Sequence, residues 1–181
     1  MIGTMVSRSP LAREFWEKGH SVSCPIYDMH GHMGPYHSIY FPRGEAPDMV
    51  RTMDEAGVRL LLFSHHAALN SPDLGNRLSI EAVRRFPDRL RAYCVINPNY
   101  PERAAQDLVA FDGLYPDVFV GLKFLSDYHR IALTDDRYRP AWEHADARGL
   151  LVLAHTWGGS AYDGEEVVAR VAERYQRVKF L

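Results

Sequence analysis

The sequence predicts an α/β fold, a (βα)8 barrel of the TIM type that is incomplete over the 181 residues of the chain. Three observations carry that prediction. Apolar strand starts recur near Pro25, Arg59, Leu90, Phe119, Leu150 and Val178, with gaps of 34, 31, 29, 31 and 28 residues that each hold one helix pattern. A βα repeat takes about 30 residues. Leu60–Ser64 is apolar up to its last residue, Leu150–Ala154 is apolar throughout, and Leu90–Ile96 is interrupted only by Arg91, the pattern of parallel strands covered on both faces. No glycine-rich nucleotide fingerprint follows the first strand; Asp28-Met29-His30-Gly31-His32 stands there instead, which favours a barrel over an open doubly wound sheet.

Residues 1–24 are expected to form a lead-in, and residues 25–181 a barrel whose C-terminal part is missing. In the lead-in, Ser9-Pro10 starts a helix through Leu11, Phe15 and Trp16 that ends before Gly19, following the preference for proline in the first turn. This helix is expected to cover one end of the barrel or to join a partner chain, and a homodimer is the expected assembly. The first strand begins at Ile26 and is followed by a long loop, Gly34 to Gly44, rich in Tyr, Pro and Gly. Loops of that length often carry function.

Helices are expected at about Pro47–Glu55, Asn76–Phe86, Pro101–Phe111, Arg139–Ala147 and Gly164–Arg177, with Gly57, Pro87 and Gly149 as stop signals. Between them lie strands at Leu60–Ser64, Leu90–Ile96, Phe119–Leu125 and Leu150–Ala154, and a sixth begins at Val178. A complete barrel takes about 250 residues. Five βα units and the start of a sixth strand, ending on Lys179-Phe180-Leu181, are therefore expected to be a piece of a longer protein that lacks two further strands.

Composition narrows the function. The chain is 46% hydrophobic and 24% charged, with a formal net charge of -2. That balance gives no footprint for nucleic acid or for an anionic membrane. No apolar run approaches the roughly 20 residues needed to span a bilayer, and Met1 to His20 has no apolar signal core. Two cysteines, Cys24 and Cys94, do not make a disulfide framework. A cytoplasmic protein acting on a small molecule is the expectation.

Parallel barrels place their active sites at the C-terminal strand ends. Polar residues there are His30 and His32 on the first strand, then Ser64, His65 and His66, then Asn97 and Asn99, then Lys123, Asp127, Tyr128 and His129, and last His155, Thr156 and Trp157. Side chains two apart on a strand share a face. His30 and His32 thus make a pair of nitrogen donors, and His155 at the end of Leu150–Ala154 supplies a third, enough for a catalytic metal with an open position. A lone His-x-His also occurs as ordinary polar histidines at a loop mouth. Adjacent His65 and His66 should point to opposite faces, so only one is expected to face the pocket.

Lys123 shares a face with Gly121 and Phe119 in strict alternation. If that face is the interior, the lysine points at the metal and binds a substrate carboxylate or, carbamylated, bridges two metals. The plainer alternative is a lysine snorkelling to the rim. Tyr36, His37, Tyr128 and Trp157 are further candidate substrate-binding residues beside Lys123.

With these residues in place, the chain resembles the amidohydrolase superfamily, in particular the amidohydrolase-related branch of aminocarboxymuconate-semialdehyde decarboxylase-like enzymes. Asp28-Met29-His30-Gly31-His32, Gly121-Leu122-Lys123-Phe124 and Leu153-Ala154-His155-Thr156 carry the resemblance, which covers most of the chain from about Pro25. It implies a distorted (βα)8 barrel in which His30, His32 and His155 bind one divalent metal, with zinc expected. It further implies a catalytic histidine on strand six and an aspartate on strand eight, both beyond Leu181. The implied chemistry is metal-activated water for hydrolysis of a C–N or C–O bond, or nonoxidative decarboxylation of an aromatic or enoic acid. The competing expectation is a truncated or degenerate barrel without activity, serving as a binding or scaffold subunit.

Overall fold

The computed structural model describes residues 8–181; the first seven residues of the expected lead-in lie outside the described residues. The chain runs α1 (Pro10–Lys18), β1 (Ile26–Met33), α2 (Ala46–Ala56), β2 (Val58–His65), α3 (Pro72–Arg85), β3 (Leu90–Ile96), α4 (Pro101–Gly113), β4 (Phe119–Phe124), α5 (Ser126–His129), α6 (Arg139–Arg148), β5 (Leu151–Ala154), α7 (Glu165–Arg174) and β6 (Lys179–Phe180). Short 3-10 turns at His66–Leu69 and Asp136–Tyr138 interrupt the loops.

All six strands are parallel and lie in one sheet in the order β1-β2-β3-β4-β5-β6. A doubly wound sheet reverses its strand order at a switch point; this one does not. Successive right-handed crossovers then put the connecting helices α2, α3, α4, α6 and α7 on the same face, and the opposite face becomes the concave interior of a partial barrel.

The side chains divide accordingly. Leu61, Phe63, Leu90, Ala92, Cys94, Ile96, Leu122, Phe124 and Val152 join Met49, Val83, Leu108, Phe111, Trp142 and Val171 in the large core beneath the helices. Leu62, Tyr93 and Leu153 form a separate cluster on the other face, with Leu60, Val120 and Leu151 around it. Trp142 anchors the helix side: its indole N–H donates to Leu133 O at 2.8 Å, and its ring packs edge-on against Phe124 and flat against Tyr175.

The helix ends follow the local chemistry. Ser9 accepts from Ala12 N at the start of α1, and Gly19 closes it in the left-handed region. Prolines occupy the first turns of α1, α2, α3, α4 and α6. α3 begins at Pro72, about one turn before the expected Asn76, because Ser71-Pro72 reads as a helix start. No residue of α1 is buried, and Trp16 is 78% exposed.

β2 and β3 pair only from Leu61–Phe63 to Leu90–Ala92. Beyond that point the strands part, and the side-chain amide of Asn76 takes the place of a ladder. Its Oδ1 accepts from Val95 N at 2.9 Å and its Nδ2 donates to Val95 O at 3.0 Å. Asn76→Ala would leave both buried backbone groups unpaired and should lower stability by roughly 2–4 kcal/mol, measured by urea unfolding. An unchanged midpoint would show that water replaces the amide.

Candidate functional site

His30 and His32 sit where β1 departs from regular pairing. The register passes from Asp28 opposite Leu61 to Gly31 opposite Phe63, so β1 carries one extra residue, a bulge of the kind that re-aims side chains beside active sites. Two contacts hold it. Asp28 Oδ1 accepts from His30 N at 3.0 Å, and the Tyr93 hydroxyl donates to Met29 O at 2.9 Å from across the interior. Gly31 points to the other face, where an added Cβ would meet a Leu61 methyl carbon at 2.7 Å. The two rings stand side by side, with centroids 4.9 Å apart.

Lys123 lies on the same interior. β4 also carries an extra residue, the register moving from Phe119 opposite Ala92 to Gly121 opposite Tyr93. Phe119 therefore packs against Phe111 beneath the helices, and the expected alternation is corrected: Lys123 shares its face with Gly121 but not with Phe119. The lysine is fully buried, not at the rim, and its ammonium has no hydrogen-bond partner among the described residues.

His155 follows the last residue of β5, its N–H donating to Phe124 O at 2.9 Å. Its Nε2 is buried without a partner among the described residues, and its ring packs edge-on against Tyr128 at 5.0 Å and Trp157 at 5.5 Å.

Electrostatics tie these groups into one site. Burial, then the neighbouring His30, His66, Lys123 and His155, push His32 down to about 4. Burial first and Lys123 next lower both His30 and His155, while Asp28 acts against this at His30 and Asp163 at His155. Burial alone lowers Lys123 to about 8. The imidazoles are thus neutral at pH 7, the form that can donate a lone pair to a metal.

Among the described residues, no three His, Cys, Asp or Glu side chains already stand as a closed metal site. The donor set nonetheless fits a divalent cation in its chemistry: a paired His30 and His32, and a buried His155 nitrogen with nothing to bond.

The cavity beside these groups measures about 90 Å³ and is lined by His32, Tyr36, Ile39, Ser64, His65, His66, Leu69, Leu125, Tyr128 and His155. Tyr36 and Tyr128 of the candidate substrate-binding residues are therefore in its wall. His37 is exposed and packs on Tyr36 at 4.6 Å, outside that wall, and Trp157 is 58% exposed beside His155.

His65 and His66 both line the cavity. β2 ends at His65 and a 3-10 turn begins at His66, so strand alternation stops between them and the expected opposition is corrected. Burial and His66 hold His65 down at about 4.

The remaining polar residues at the strand ends tie loops together instead. Asn97 Oδ1 accepts from Asn99 N, Asn99 Nδ2 donates to His129 O, and His129 Nε2 bonds Leu69 O at 3.1 Å. Asp163, which no sequence pattern singles out, is fully buried and accepts from Ser126 Oγ and Asp127 N. Tyr93 was also not legible as a site residue, because a tyrosine in an apolar strand gives no sign of where its hydroxyl ends.

No protein-family model matches the chain, and no curated protein sequence matches it. Solved structures do. A 5-carboxyvanillate decarboxylase from Sphingomonas paucimobilis aligns at 19% identity over 76% of this chain and 51% of its own, with a TM-score of 0.62. A dihydroxybenzoic acid decarboxylase from a Polaromonas species, with bound manganese and the inhibitor 2-nitroresorcinol, aligns at 17% identity over 86% and 64%, TM-score 0.62. A 4-oxalomesaconate hydratase from Rhodopseudomonas palustris aligns at 19% identity over 86% and 61%, TM-score 0.62. Amidohydrolase structures align in the same way. The chain spans about half to just under two thirds of the length of these structures. At such identities the likeness is one of fold, and the chain has the parallel, sequentially ordered sheet of the amidohydrolase-type barrels.

Proposed function

We propose that this chain carries the metal-holding part of a metal-dependent enzyme acting on a small carboxylate, with nonoxidative decarboxylation of a hydroxylated aromatic acid as the favoured reaction and hydrolysis as the other within the same chemistry. The observation that carries this reading is Lys123. A fully buried ammonium without a partner is costly, and this one acts electrostatically on His30, His32 and His155 together. A divalent cation held by those imidazoles would add like-charge repulsion. A carboxylate between lysine and cation relieves both penalties, so the site calls for an anionic ligand.

His30, His32 and His155 would hold the metal, and an all-imidazole donor set favours zinc over the oxygen-preferring manganese. When bound, the ion supplies a Lewis acid that polarises the group it touches. Lys123 binds and orients the carboxylate. Tyr36 and Tyr128 present aromatic walls suited to a planar ring and exclude water from it. The matched decarboxylases lend support at the level of reaction class.

Lys123→Met tests this directly. It should weaken binding of 2,6-dihydroxybenzoate to the zinc-loaded protein by about 10–100-fold, the worth of a hydrogen bond to a charged group. It should also stabilise the metal-free protein by about 1–3 kcal/mol, since a buried unpaired charge is replaced by an apolar chain of similar size. Titration calorimetry and urea unfolding read the two effects; undiminished carboxylate binding would remove the basis of the proposal. The lowered basicity of Lys123 favours a second reading, a carbamylated lysine bridging two metals. That reading requires close to two metals per chain, lost on removing bicarbonate, where the first requires one.

A further inference from the structure

We infer that His66 is a specificity-determining residue that accepts a hydrogen bond from a hydroxyl of the ligand, beside the carboxylate that Lys123 receives; the inference rests on the carboxylate-binding reading of the site. No strand alternation or family resemblance assigns His66 a role. Its geometry does. His66 Nδ1 lies 2.7 Å from Gly34 O. A carbonyl only accepts, so Nδ1 carries the proton, and in the neutral ring that tautomer leaves the lone pair on Nε2. Among the described residues Nε2 has no hydrogen-bond partner, and the ring lines the cavity.

The ring is also held in plane. It stacks on His32 with centroids 5.0 Å apart and planes 9° from parallel, packs against Tyr36 at 5.1 Å and meets Phe41 edge-on at 5.9 Å. The carbonyl that sets the tautomer is itself fixed. Gly34 has φ +81, its N–H donates to Gly44 O at 2.7 Å to close the long loop, and a Cβ there would collide with the His65 ring at Cε1. Ring plane, tautomer and backbone support are thus set before any ligand arrives, which is the preorganisation that discriminating acceptors need. A lone pair in this position welcomes an O–H or N–H donor and repels ether, carbonyl and carboxylate oxygens. Sites built to bond a ligand hydroxyl reject analogues lacking it far more strongly than apolar pockets reject an extra methyl group.

The test compares 2,6-dihydroxybenzoate with 2,6-difluorobenzoate, and resorcinol with 1,3-difluorobenzene, by calorimetric titration of zinc-loaded protein. Fluorine is near hydroxyl in size and cannot donate. Wild type should bind the hydroxylated member of each pair at least about tenfold more tightly, one good hydrogen bond's worth. His66→Phe keeps an aromatic ring against His32 and should reduce both preferences to within about threefold, with bound zinc unchanged. His66→Gln, which restores an acceptor near Nε2, should recover part of the preference.

Equal binding within each pair by wild type, or a preference that survives His66→Phe in folded protein, overturns the inference while leaving the carboxylate reading intact. Loss of zinc in His66→Phe overturns it too, by making His66 a metal ligand. If only the carboxylate-free pair binds and is discriminated, the carboxylate reading falls and His66 stands. If none of the four compounds binds, both fall.

Discussion

His155→Ala should lower zinc affinity at least about 100-fold, more than the 10–100-fold that loss of an outer-shell partner costs, while leaving the metal-free protein as stable as before. The two halves of that expectation come from different observations. His30 and His32 remain as a pair on the β1 bulge, but two imidazoles do not make the three-ligand set of a catalytic zinc site. The metal-free protein, in contrast, gains nothing from the His155 nitrogen, because Nε2 is buried with no partner among the described residues.

Metal stabilises the folded state by mass action, about 2.7 kcal/mol when present at 100 times its dissociation constant. Wild type should therefore show a zinc-dependent rise in melting temperature that His155→Ala lacks, with equal melting temperatures in chelator. His37→Ala, outside the cavity wall, should behave as wild type. A zinc-dependent rise that persists in His155→Ala would place the metal elsewhere. Absence of any rise in wild type, with stability unmoved by replacing both His30 and His32, would favour a scaffold without metal chemistry.

Acid should destabilise the metal-free protein well above the range where carboxylates titrate. His65 and His129 are 8% and 7% exposed, and burial is the leading cause that brings each down to about 4 from 6.5. A histidine depressed in the folded state takes up its proton more readily when unfolded. The stability it contributes is therefore complete above its unfolded value and is lost as pH falls towards the folded one.

A depression of that size costs the folded state about 3 kcal/mol for each of the two residues once the pH has fallen below the folded value. His30, His32 and His155 are lowered as well and act in the same direction. Urea unfolding should show constant stability above about pH 7 and a steep fall between about pH 6.5 and 4. His129→Gln, which keeps a donor for Leu69 O, should flatten part of that slope. A stability independent of pH over this range would show that the rings open to solvent before they protonate.

Periodicity made most of the architecture legible. Apolar runs marked β3 to the residue, Leu90–Ile96, and the roughly thirty-residue spacing anticipated the sequential parallel order. Glycines at 19, 57 and 149 end their helices in the left-handed region, as their places after the apolar repeats indicate.

What escaped was everything that depends on breaking a period. The extra residues in β1 and β4 leave no local mark, because a bulge is decided by the neighbouring strand. The 3-10 turn that brings His66 beside His32 starts inside an apparent strand ending, and α5 is too short to show a helical repeat. Asn76 reads as one more polar residue on a helix, yet it stands in for a strand ladder. Asp163 lies in an unpatterned loop and meets Ser126 only through the fold. The site was therefore legible as a set of histidines and a lysine at strand ends, but not as the cavity that arranges them.

The central claim is that imidazoles from β1 and the end of β5 share one divalent cation. X-ray absorption at the zinc edge of the loaded protein tests it most directly. The prediction is a nitrogen shell at about 2.0–2.1 Å with the scattering pattern of three imidazoles, reduced by one ring in His155→Ala. A shell containing sulfur, one free of imidazole, or a spectrum that His155→Ala leaves unchanged contradicts it.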